Sequence, residues 1–234
     1  MSAFRFGVVR FPGSNCEQDV VAAIRWLGYQ ADYIWHQQTS LAGFDAVVLP
    51  GGFSYGDYLR CGAIARFSPI MAAVSSFAAA GRPVLGICNG FQVLTEAGLL
   101  PGVLLTNSGL KFLCQSVSLQ VEPNVCQWLD WPEQTLLELP IAHLGGNYFC
   151  DAGTLAELES RGQIVLRYVL ADGSRPAGGA APNGALADIA GICNAAGNVF
   201  GLMPHPERVT DGLVGQQGGA FFQTIVRRME AGAR

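Results

Sequence analysis

Charge is what this chain has least of. Only 14% of its 234 residues are charged, against roughly 25% in an ordinary soluble protein. A surface so poor in charge fits one that a partner covers in part, although a well-closed α/β core raises the apolar fraction too. Lys and Arg stand singly and the net charge is −4, so there is no basic stripe and no electrostatic footprint for nucleic acid. Long apolar runs are missing as well: the greasiest stretch, 69–87, is broken by Gly81, Arg82 and Pro83, which excludes a membrane span there. The opening residues run straight into a strand-like segment, so no secretory leader is expected. Seven cysteines contain no C-x-x-C pair, the two nearest being Cys114 and Cys126. That spacing fits reduced thiols of a cytoplasmic protein, one of which can be catalytic, and it offers no metal cluster. No G-x-x-x-x-G-K-[ST] loop is present, so no ATP site of that kind is expected. Histidine is also rare, with only His36, His143 and His205.

What is there is alternation. β-rich runs at 4–11, 31–35, 46–49 and 83–87 are separated by stretches of helical periodicity at about 16–27 and 64–80. Ser14 and Asn15 are placed to cap the first helix. Pro50-Gly51-Gly52 ends the third run in a turn that bares backbone N–H groups. Strands alternating with helices predict an α/β fold, a flavodoxin-like, doubly wound and mostly parallel sheet flanked by helices. The pattern changes after Gly98. Runs at 112–122 and 164–170 read as additional antiparallel strands, with a helix at about 152–161 between them. Residues 188–193 and 198–203 read as a hairpin, and an amphipathic helix closes the chain at about 219–231. The Gly/Ala/Pro-rich stretch 172–184 is the candidate disordered or lid segment. Without a repeat or a linker, residues 1–234 are expected to form one domain.

Cys88 sits in Gly86-Ile87-Cys88-Asn89-Gly90, between a strand and a helix. A residue that must turn the chain sharply there crowds any neighbour bearing a Cβ, and glycines two positions before and after relieve the crowding. A thiol so placed lies at the C-terminal sheet edge, beside a helix N-terminus that favours thiolate. The Asn89 N–H then faces an oxyanion formed on a carbon held by the sulfur. The plainer reading is a buried cysteine closing a strand, and the frame alone weighs the two about equally.

A partner decides between them, because a nucleophilic thiol needs a base and a group to orient it. In Pro204-His205-Pro206-Glu207, proline at 206 biases His205 to an extended backbone, where residues two apart project to one side. Glu207 can then hold the imidazole of His205. His36, at a strand end without a nearby carboxylate, reads as an ordinary loop residue. His143, beside a glycine pair, is a candidate for a substrate or interface loop. Cys16 reads as a structural thiol near the rim.

These residues resemble a known family. Gly86-Ile87-Cys88-Asn89-Gly90-Phe91-Gln92 together with Pro204-His205-Pro206-Glu207 is similar to class I (triad-type) glutamine amidotransferases. Within them the likeness is to the glutaminase subunits of phosphoribosylformylglycinamidine synthases, through the block at 10–16, Gly51-Gly52-Phe53-Ser54-Tyr55-Gly56-Asp57 and the strand at 188–192. The resemblance implies Cys88 as nucleophile, His205 as general acid/base and Glu207 as its orienting carboxylate. It further implies oxyanion-hole amides at Gly52 and Asn89, with Gln92 helping to hold the substrate L-glutamine. No cofactor or metal is implied in this subunit; ATP and magnesium are expected on a separate synthetase subunit, and a small third subunit is expected beside it. Two stretches depart from the family pattern. His143-Leu144-Gly145-Gly146 lacks the acidic residue of a His-x-Glu-Gly segment, and Ala181-Pro182-Asn183-Gly184-Ala185 replaces Asn-Pro-Asn-Gly-Ser. Rival readings are another elbow-cysteine hydrolase, such as a peptidase or deglycase of the DJ-1 type, and a regulatory module with an unused triad.

Overall fold

Short β-branched runs bounded by Gly and Pro make the central sheet of the computed structural model, which describes residues 4–211 and 217–232. Strands β1 (Arg5–Arg10), β2 (Gln30–Trp35), β3 (Ala46–Leu49) and β4 (Val84–Ile87) pair in parallel in the order β2-β1-β3-β4. Strand β11 (Val199–Leu202) adds parallel to β4, with Gly201 opposite Gly86. Every residue of β3, β4 and β11 is buried, as expected where helices cover both faces of parallel strands. Helices α1 (Glu17–Trp26), α2 (Ile70–Ala79), α3 (Asn89–Glu96) and α5 (Gly219–Gly232) flank this half. Phe6 of β1 meets Phe222 of α5 edge-on, with ring centroids 6.2 Å apart.

Beyond β11 the sheet turns antiparallel. β10 (Ile189–Cys193), β9 (Ile164–Val169), β6 (Leu113–Val121) and β7 (Leu136–His143) follow in that spatial order, completing nine strands among the described residues. A separate two-stranded ribbon joins β5 (Val103–Leu105) to β8 (Asn147–Phe149). Helix α4 (Ala152–Ser160) starts on Asp151, whose carboxylate accepts the Thr154 N–H at 3.0 Å.

Four local expectations are corrected. Ser14 and Asn15 do not cap α1; the N-cap is Cys16, with no side-chain bond. The preceding loop is paired backwards instead, Ser14 bridging to Gly52 and the Cys16 N–H donating to the Gly51 carbonyl. The helix expected over 64–80 is divided, because Pro69 forces Ser68 into an extended conformation; a single 3-10 turn, Ala65–Phe67, precedes α2. Residues 136–149, given no element by periodicity, form β7 and β8. Pro140 masks β7, and proline is tolerated there because β7 is an edge strand. The stretch 172–184 is no free lid. Asp188 Oδ1 accepts the N–H groups of Ala180 and Ala181, and Asn183 is fully buried, donating to the Gly146 carbonyl at 2.8 Å.

Candidate active site

The turn from β4 into α3 is as sharp as the glycine frame predicts. Cys88 has φ 50 and ψ −104, a region that L-residues avoid. A Cβ on Gly86 would lie 2.7 Å from the Gly90 carbonyl, and one on Gly90 would strike the Leu49 carbonyl of β3. Backbone cannot yield as a side chain can, so both positions demand glycine. The Cys88 N–H continues the β4–β11 ladder by donating to the Leu202 carbonyl at 2.8 Å. Asn89 begins α3, where helix geometry offers its N–H no intrahelical acceptor.

Strand β11 delivers His205 to the same edge. The His205 N–H donates to the Pro140 carbonyl at 2.9 Å, which ties the loop to β7. In the following 3-10 turn, Pro206–Arg208, Glu207 comes back beside the ring. Its Oε1 lies 2.6 Å from His205 Nδ1, and both side chains are sealed from solvent. The carboxylate therefore fixes hydrogen on Nδ1, leaving Nε2 with no hydrogen-bond partner among the described residues. Burial on its own would lower the pKa of His205. The Glu207 charge, followed by the sulfurs of Cys88 and Cys16, outweighs burial and holds it well above the ordinary value.

Cys16 lies deeper than a rim thiol. It is buried at the N-terminus of α1, takes a bond from Arg208 Nη2 at 3.3 Å and donates to Asn15 Oδ1 at 3.2 Å. Cys16, His205 and Glu207 offer ligand atoms that all lie within 4.8 Å of one another. The Arg208 cation on the sulfur and the closed His205–Glu207 bond both oppose a metal ion there.

Cys88 opens into a cavity of about 340 Å³. Gly52, Phe53, Asp57, Cys61 and Gln92 line one side, and Ala142, His143, Leu144 and Gly145 the other. Gln92 has both polar ends occupied, accepting from Asn89 Nδ2 at 2.8 Å and donating to the Gly145 carbonyl at 2.6 Å. It braces the two walls against each other. Cys61 is pushed up to about 12 by burial and then by the Asp57 charge, so it stays a neutral thiol at pH 7. Asp57 is itself raised by burial, an effect that the Cys61 hydrogen bond opposes. His36 is more than a loop residue: its Nδ1 meets the Tyr55 hydroxyl at 2.9 Å, anchoring the left-handed turn that carries Asp57. Asn107, which no motif pointed to, is buried against His143 and Gly146.

An elbow thiol, an imidazole held by a buried carboxylate and a helix N-terminus on one α/β sheet edge define a cysteine-dependent acyl-transfer hydrolase. The model of the CobB/CobQ-like glutamine amidotransferase domain matches residues 3–219, and the chain belongs to that family. It is 53% identical to the phosphoribosylformylglycinamidine synthase subunit PurQ of Synechococcus sp. (strain JA-2-3B'a(2-13)), over 99% of this chain and 100% of that one. It is 55% identical to the protein of the same name from Thermomicrobium roseum, over 92% of each. A solved structure, that of PurLQS from Thermotoga maritima, contains a chain that superposes with a TM-score of 0.85 at 40% identity, covering 97% of this chain and 99% of that one. Among the described residues, no helix is long and apolar enough to cross a membrane.

Proposed function

We propose that this protein is the glutaminase subunit of a phosphoribosylformylglycinamidine synthase. It hydrolyses the side-chain amide of glutamine and passes the ammonia to a separate ATP-dependent synthetase subunit. That subunit converts formylglycinamide ribonucleotide to formylglycinamidine ribonucleotide in purine biosynthesis. The observation that carries this reading is the Cys88 elbow, opening into a cavity, on the sheet edge to which β11 delivers the His205–Glu207 pair, in a chain 53% identical to a PurQ subunit over its length.

The chemistry follows from the residues. The Cys88 thiolate attacks the amide carbon, and the oxygen gains charge where the N–H groups of Asn89 and Gly52 are offered. Preorganised donors of this kind lower the barrier by on the order of 3 kcal/mol. His205 gives its Nε2 proton to the amide nitrogen, the C–N bond breaks and ammonia departs. The same imidazole then takes a proton from water as the water attacks the thioester, which frees glutamate and the thiol. Glu207 stabilises the imidazolium that donates to the leaving nitrogen and the one that forms again as water is deprotonated. Gln92 contributes by holding the cavity wall. The DJ-1-type alternative has no need of Glu207 beside His205 and lacks support from the relatives.

ATP and magnesium belong to the synthetase, and a small third subunit accompanies it. The protein works in the cytoplasm as one domain over residues 1–234. Docking is supported by apolar residues at the cavity mouth: Leu59 is 87% exposed, and Phe53, Phe112 and Leu144 are each more than two-fifths exposed. Incubation with a glutamine-like diazo-ketone, followed by mass spectrometry, tests the assignment. Labelling of Cys88 that disappears in Cys88→Ser is expected, whereas labelling of Cys16 or Cys61 overturns the choice of nucleophile.

A further inference from the structure

His143 lines the cavity at 3% exposure, and the reaction above leaves it without a task. Its neighbour settles its protonation. Asn107 Oδ1 accepts the Gly146 N–H at 2.9 Å, while Nδ2 donates to the carbonyls of Lys111 and His143, each at 2.9 Å. These three bonds orient the amide with its oxygen toward the ring. His143 Nδ1, 3.2 Å from that oxygen, must therefore carry a hydrogen and donate it. A neutral ring with hydrogen on Nδ1 presents a lone pair at Nε2. That Nε2 is buried and has no hydrogen-bond partner among the described residues. Leaving such an acceptor unpaired in the interior is costly.

Protonation does not relieve it. Burial, and then the positive charge at His205, lower the pKa of His143 to about 4, so the ring remains an acceptor throughout the neutral range. Nor can the ring swing away freely, because it lies flush on Gly146, where any Cβ would collide with it. The strand that carries His143 is tied to His205 directly, through the bond from the His205 N–H to the Pro140 carbonyl. The preceding residue, Ala142, has its carbonyl 3.8 Å from Cys88 Sγ. In the mechanism above, the nitrogen of the scissile amide leaves toward His205, which protonates it.

We propose that His143 Nε2 accepts a hydrogen bond from the nitrogen of the scissile amide and keeps hold of it as ammonia forms. The assignment rests on the glutamine-hydrolysis reading. A nitrogen held through one of its N–H bonds directs its lone pair elsewhere, which leaves that pair free for the proton from His205. A ring that holds no proton of its own at neutral pH does not compete in that transfer.

The test compares glutamine with its γ-methyl ester, whose leaving oxygen has no hydrogen to donate. His143→Asn keeps a donor for Asn107 and removes the acceptor at the far end of the ring; His143→Gln puts an oxygen near that end. In His143→Asn, kcat for glutamine is expected to fall about tenfold or more with KM nearly unchanged, while ester hydrolysis stays near wild type. His143→Gln is expected to recover part of the loss. If the asparagine variant does not fold, His143→Leu is expected to show the same amide-selective loss. Wild-type kcat on glutamine in a folded His143→Asn protein overturns the proposal. So does an equal loss on amide and ester, which signals wall packing, or a loss confined to KM, which moves the contact to the amino-acid end. Failure of the wild type to hydrolyse glutamine or to be labelled at Cys88 would instead sink the underlying reading.

Discussion

The parallel and antiparallel halves of the sheet divide the work of this site. In the proposed mechanism the parallel half supplies the reacting atoms: Cys88 at the end of β4, and His205 with Glu207 just past β11. Each is set by its immediate neighbours in the chain, the glycine frame in one case and the His-Pro-Glu spacing in the other. The antiparallel half supplies the wall they face, through Ala142 and His143 of β7 and the loop to β8. That wall is assembled from distant pieces, with Asn107 reaching the His143 carbonyl 36 positions away and Asn183 reaching Gly146 across 37. The proposed chemistry is written locally, and the wall that faces it is written through tertiary contacts.

The sharpest way to break this division is to remove the base. His205→Ala is expected to lower kcat for glutamine by at least about 10⁴-fold, since the members of such a triad act as a unit. Steady-state glutamate release measures it, and turnover near wild type would refute the triad. Glu207→Gln leaves the imidazole in place and is expected to cost less, on the order of 10²–10⁴-fold. Its signature is in pH. His205 in the folded protein holds its proton well above the ordinary 6.5. Its protonation therefore stabilises the fold fully below pH 6.5, and that stabilisation is lost as the pH rises through the folded value. Glu207→Gln removes the leading charge that raises it while burial still opposes protonation. The melting temperature of the variant should lag wild type most below pH 6.5, with the gap narrowing toward alkaline pH. A gap that does not change with pH contradicts the electrostatic account.

Gly90→Ala tests the elbow through packing. The added methyl meets the Leu49 carbonyl, a backbone atom in the middle of the sheet, so β3 and α3 must part. A destabilisation of about 1–3 kcal/mol is expected in denaturant melts, together with slower labelling of Cys88 by the diazo-ketone. An unchanged midpoint and labelling rate would show that the frame is not required on steric grounds.

The same contrast explains what could be read from the sequence. The parallel strands were legible because buried strands between helices leave a strong pattern, and the Cys88 elbow and the His205–Glu207 contact because their geometry is local. The helix expected over 64–80 failed at Pro69, where a local rule was outweighed by apolar periodicity on both sides. The capping role expected of Ser14 and Asn15 failed for a non-local reason, since that loop is bound to Gly51 and Gly52. The lid expected at 172–184 looked loose in composition, yet Asp188 and Asn183 hold it, and nothing in Gly-Gly-Ala-Ala-Pro announces those bonds. Asn107 carried no motif at all. Cys16 was visible as a thiol at a helix start, but its place against His205 depends on Arg208, 192 residues later.

The smallest expected effect falls on the strand that the sequence concealed. Pro140 lies within β7, opposite Ser116 of β6, and its carbonyl accepts from the His205 N–H rather than from β6. The nitrogen and carbonyl of one residue in a strand point to the same side, so the Pro140 nitrogen also faces away from the ladder. Proline at this position forfeits no β6–β7 hydrogen bond. Pro140→Ala should then leave stability within about 0.5 kcal/mol of wild type, with kcat unchanged because the carbonyl that holds His205 is retained. Denaturant melts and glutamine turnover check both. A loss above roughly 2 kcal/mol, in the range of a broken buried hydrogen bond, would mean that the proline ring fixes the path of β7, and through it the wall that His143 presents to the nucleophile.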